Sequence, residues 1–61
     1  MTDAANKALK QLYDEYARTG INDWQSIDTI AGNQLVSLEL AKGNVQGEFM
    51  LTNKGIEHMS K

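Results

Sequence analysis

Few residues of this 61-residue chain are of a type that does chemistry. His58 is the one side chain whose ordinary titration lies near neutrality. No cysteine is present to act as nucleophile or metal ligand. A single histidine near the chain end provides none of the ordered spacing of a Ser-His-Asp arrangement. Gly43-Asn44-Val45-Gln46-Gly47 lacks the Lys-Ser/Thr and the strand-to-helix transition of a phosphate cradle. It reads as a hairpin turn, with Gly47 leaving room beside Leu40. The sequence therefore predicts no catalytic residue, no cofactor and no metal, and a chain that is not an enzyme.

Two other groups carry more information: the carboxylates Asp28, Glu39 and Glu48, and the apolar side chains Trp24, Leu35 and Met50. What they can do depends on the elements that place them. Ala5, Ala8, Leu9, Leu12, Tyr13, Tyr16 and Ala17 follow the i, i+3, i+4 series of one helical stripe. Thr2 or Asp3 can cap the start, and Gly20 follows Arg18 as a stop signal. The spacing predicts a helix over 3–19, with Asp3–Lys7 and Asp14–Arg18 as i, i+4 pairs. Tyr13 and Tyr16 belong to its core stripe, hydroxyls at the rim.

Beyond Asp23 the period changes. Gly-Asn occurs at Gly32-Asn33 and Gly43-Asn44, a two-residue hairpin signal because glycine supplies the positive φ of a type II′ turn. These turns predict strands over 24–31, 34–42 and 45–52, arranged as an antiparallel meander. Lys42 would then oppose Val45, Leu38 Phe49 and Val36 Leu51. One face reads Ile27, Thr29, Val36, Leu38, Leu40, Phe49, Leu51, a consistent apolar set that a slip of one residue would scramble. The segment 22–32 also reads as a helix, with Asn22 and Gln25 as a capping box and Gly32 as the stop. A short helix over 53–59 closes the chain, capped by Thr52, with Ile56 and Met59 on one side and Gly55 weakening its first turn. The predicted fold class is α+β: an N-terminal amphipathic helix packed on a small antiparallel meander or hairpin, then a short C-terminal helix, in one domain spanning 1–61.

That register places Glu39 opposite Glu48, with Asp28 diagonally beyond. Like charges so placed destabilise a sheet pair, so a basic partner surface suits this face better than a hard cation such as Ca2+, for which no EF-hand spacing exists. Trp24, Leu35 and Met50 point away from the face that helix 3–19 covers, and exposed aromatic and Met side chains are enriched in interfaces. The predicted contact surface is thus Trp24, Leu35 and Met50 with Asp28, Glu39 and Glu48. The predicted partner is another protein or a second copy, a homodimer included.

Composition narrows the alternatives. Six Lys and Arg face eight Asp and Glu for a net charge of −2, with no charge run, which disfavours a phosphate track. No apolar stretch approaches the roughly 20 residues that span a bilayer, and the N-terminus lacks a signal core. The expectation is a cytoplasmic chain without a membrane partner. With neither disulfide nor metal to staple it, so short a chain is marginal alone.

Leu51-Thr52-Asn53-Lys54-Gly55-Ile56-Glu57-His58-Met59 resembles the Leu-Thr-x-Lys-Gly segment that follows the wing in many bacterial winged-helix regulators. The resemblance rests on Leu51, Thr52, Lys54 and Gly55, and implies that the preceding hairpin is a wing on a small DNA-binding regulator. A winged helix needs three helices before its hairpin, one carrying base-reading side chains. Here only helix 3–19 and the helical reading of 23–31 are on offer.

Overall fold

The computed structural model describes residues 1–61. Its elements run α1 (Asp3–Thr19), β1 (Gln25–Ser26), α2 (Thr29–Ser37), β2 (Ala41–Gly43), β3 (Glu48–Leu51) and α3 (Asn53–Ser60). The fold is α+β, with an antiparallel sheet in the order β1-β3-β2.

Helix α1 forms where its apolar stripe predicts. Thr2 Oγ1 accepts the Ala5 N–H at 3.1 Å, and Gly20 takes a left-handed φ of 75° while its N–H donates to Tyr16 O. The charged pairs on its surface are Lys10–Asp14 and Glu15–Arg18, in place of Asp3–Lys7 and Asp14–Arg18. Tyr13 and Tyr16 are half-buried against the core, their rings 6.0 Å apart.

The middle of the chain differs from the meander. Segment 24–31 contributes only Gln25 and Ser26 as strand, and most of 34–42 is helix and turn. Asp28 caps α2 by accepting the Ala31 N–H at 3.0 Å, six residues after the Asn22 cap of the alternative reading. Gly32 is not a turn residue. It lies inside α2 beneath the Phe49 ring, where an added Cβ would come within 2.5 Å of ring atoms. The helix ends through two paired bonds, Glu39 N–H to Val36 O and Leu40 N–H to Leu35 O, both at 2.9 Å. This ending requires a left-handed residue, and Glu39 supplies it with φ 63°.

The hairpin register also shifts. Gly43 pairs with Phe49, Lys42 with Met50 and Ala41 with Leu51, so Lys42 does not oppose Val45. Asn44 sets the longer loop, because its Oδ1 accepts the N–H groups of Gln46 and Glu48, each at 3.0 Å. Gly47, not Gly43, carries the positive φ, at 80°. Gly47 therefore serves the turn rather than clearing space beside Leu40.

Helix α3 starts at Thr52, whose Oγ1 accepts the Gly55 N–H at 3.0 Å and donates to Glu39 O at 2.6 Å. Gly55 is buried and needed there: a Cβ would land on the Leu40 carbonyl oxygen. All three helices contribute to one apolar cluster. Ala5, Ala8, Leu9 and Leu12 of α1 and Ala31 and Leu35 of α2 meet Leu40, Ala41, Phe49 and Leu51, with Ile56 and Met59 of α3 alongside. Phe49 and Leu51 alternate with Glu48 and Met50 along β3. The helices therefore cover one side of the sheet, and the Met50 side has none over it.

Candidate functional site

The predicted contact surface separates into two groups. Leu35 is fully buried in the core. Asp28 is spent on capping α2, and Glu39 stands at the end of α2 with its carboxylate 3.5 Å from Lys54 Nζ. Glu39 and Glu48 are not opposed: Glu48 pairs with Ser26 on one side and accepts the Asn44 Nδ2–H at 3.2 Å on the other. No three His, Asp or Glu side chains gather at one point. The like-charge argument for a basic partner at this face therefore falls away.

Trp24, Met50 and Glu48 share the side of the sheet that the helices leave open. Gln25 pairs with Phe49 and faces inward, so the alternation turns Trp24 outward, and continuing the register one step sets it across from Met50. Asn22 ties this connector to β3. Its Nδ2 donates to Leu51 O at 2.8 Å and its Oδ1 accepts the Leu51 N–H at 3.2 Å, as a neighbouring strand would. The Asp23 Oδ1 accepts the Trp24 N–H at 2.8 Å. Trp24 is thus held at a defined corner while 37% of its surface remains exposed.

The corner is concave. Glu15, Thr19, Ile21, Asp23, Trp24 and Gln25 line a hollow of about 200 Å³ between the last turns of α1 and the edge strand β1. Ile21 beside it is 63% exposed. Sequence reasoning missed Glu15, Thr19, Ile21, Asp23 and Gln25. A usable signal existed: Gly20 reverses the chain, so residues 21–24 run back past Glu15 and Thr19, which stand one turn apart on α1.

Other surfaces compare poorly. The largest hollow, about 360 Å³, follows the polar side of α1 from Lys7 to Arg18. All its charged residues but Lys7 pair along the helix, so it is a solvated face. Ile30 (72% exposed), Val36 and Leu38 project from α2 and its end. Ile30 and Val36 are six residues apart, about 120° around the helix. They are single exposed apolar residues, which are ordinary on a protein surface. A further hollow of about 270 Å³ lies beside Met1, Thr2, Gln34, Ser37 and Leu38. No helix is long and apolar enough to cross a membrane. Set beside known protein families, curated proteins and solved structures, the chain matches none.

Proposed function

We propose that this protein is a non-enzymatic interaction module that works by protein–protein contact, with the Trp24 corner and the open side of the sheet as its contact surface. The observation that carries this reading is the position of its only tryptophan. The two residues before Trp24 anchor it through side chain–backbone hydrogen bonds, yet it stays open to solvent beside a hollow at the sheet edge, between α1 and β1. A large aromatic on a fixed backbone loses little freedom on binding, and such residues concentrate binding energy. The partner is another protein or a second copy of the chain.

A small winged-helix-like DNA-binding regulator is the second reading. It is favoured by the helix at Thr29–Ser37 directly before the β2–β3 hairpin, with Leu51-Thr52-Asn53-Lys54-Gly55 leading into α3. Charge opposes it. Helix α2 holds no Lys or Arg, and the loop 44–47 is uncharged.

Selection of displayed random peptides on the immobilised chain, with counter-selection on Trp24→Ser, tests the first reading, and light scattering across a dilution series tests self-association. The expected result is enrichment of peptides that need Trp24, or a dimer that Trp24→Ser dissociates. Neither outcome, together with binding to mixed duplex DNA that fades steeply with salt, would replace this reading by the second.

A further inference from the structure

The Trp24 hollow has a polarity as well as a shape. Its lining includes two acidic residues, Glu15 and Asp23, and the part-exposed Trp24, and no Lys or Arg. We propose that this hollow receives a lysine or arginine side chain from a basic segment of a protein partner. The inference rests on the reading of the corner as a contact surface and names the chemistry of what docks there.

The arrangement suits such a side chain along its whole length. A cation near the indole face is attracted by the ring quadrupole. The methylene stem can lie on Ile21, which is 63% exposed. The volume of about 200 Å³ holds one side chain, not a folded element. Asp23 is fixed at the rim because its Oδ1 accepts the Trp24 N–H, which leaves Oδ2 for a partner. Arg18 demonstrates the acceptor. Its guanidinium reaches back one turn to Glu15 Oε1, in a pair whose side chains are 69% and 41% exposed. So exposed a pair is weak and exchanges readily for an incoming cation. The net charge of −2 draws a basic segment in from a distance.

The test titrates capped Lys–Gly and Arg–Gly decapeptides, with Glu–Gly and Gln–Gly controls, into the ¹⁵N-labelled full chain at low salt. The Trp24 indole N–H and the amides of Glu15, Thr19 and Asp23 are followed. Only the basic peptides shift these resonances, and Trp24→Leu weakens binding about fivefold, the scale of one exposed cation–π contact. Asp23→Asn, which keeps the bond to the Trp24 N–H, weakens it about threefold, and Arg18→Gln tightens it by a similar factor by freeing Glu15. Lys10→Gln makes the same change in net charge away from the hollow and tightens binding less. Equal effects of Arg18→Gln and Lys10→Gln, with shifts spread over every acidic residue, would overturn the proposal in favour of diffuse attraction. If a library-selected neutral peptide moves the corner while the basic peptides do not, the contact surface stands and the cation is wrong. If no peptide moves it, both readings fall.

Discussion

Glu39 holds a left-handed φ of 63°, the one residue other than glycine to do so. Its carbonyl accepts the Thr52 hydroxyl at 2.6 Å, and its neighbour Leu40 must turn inward to meet Leu35, so the surroundings dictate the conformation. A side chain there costs roughly 1–2 kcal/mol, and the exposed pair with Lys54 returns only part of that. Glu39→Gly is expected to raise the denaturation midpoint, whereas Glu39→Val lowers stability by about 1 kcal/mol or more, because a β-branched residue tolerates this region worst. Gly55 makes the opposite case. Ala at 55 gains about 1 kcal/mol of helix propensity but drives its methyl into the Leu40 carbonyl. Gly55→Ala is therefore expected to lose about 2 kcal/mol or more in urea denaturation, since backbone cannot yield as a side chain does. Gly32→Ala meets the Phe49 ring instead and is expected to cost less.

Elements whose signals are local were legible in the sequence. Helix α1 has an unbroken stripe, a Thr2 cap and a Gly20 stop, and α3 has its Thr52 cap. Helix α2 was not legible, for three physical reasons. Its cap, Asp28, sits in a run where Ile27, Thr29 and other side chains alternate as in a strand. Its glycine at 32 exists for Phe49, far away in sequence. Its stop is a glutamate where glycine is the common choice. The short β1 depends on a side chain: Asn22 pairs with the Leu51 backbone as a strand would. Asn22→Ala is expected to cost about 1–2 kcal/mol and to loosen the connector, read as faster amide exchange at Asp23 to Ser26. An unchanged exchange rate there would show that β1 holds without the clamp. Of the proposed contact surface, Trp24 and Met50 were named from the sequence, and in the structure Trp24 is part-exposed and Met50 half-buried. The hollow was missed although the Gly20 stop was legible, because the path of residues 21–24 back alongside Glu15 and Thr19 was not followed from it.

At the scale of the molecule, 12 of 61 residues are buried and none of those is polar, so one apolar cluster holds three helices to one side of a sheet. The other side remains open. A partner that binds the folded chain adds stability by mass action, which a core this small can use. The distribution of charge separates the two kinds of partner. A DNA complex would engage α2 and the hairpin loop, which between them carry no Lys or Arg. A protein complex would engage the Trp24 corner. Chemical-shift mapping decides between them most directly: the ¹⁵N-labelled chain is titrated in turn with a library-selected peptide and with mixed duplex DNA. The result expected is a contiguous set of shifts from Glu15 to Ser26, with Glu48 and Met50, on adding peptide, and no saturable change on adding DNA. Shifts centred on residues 29–37 and 44–47 with DNA, and an unmoved Trp24 indole with peptide, would contradict it.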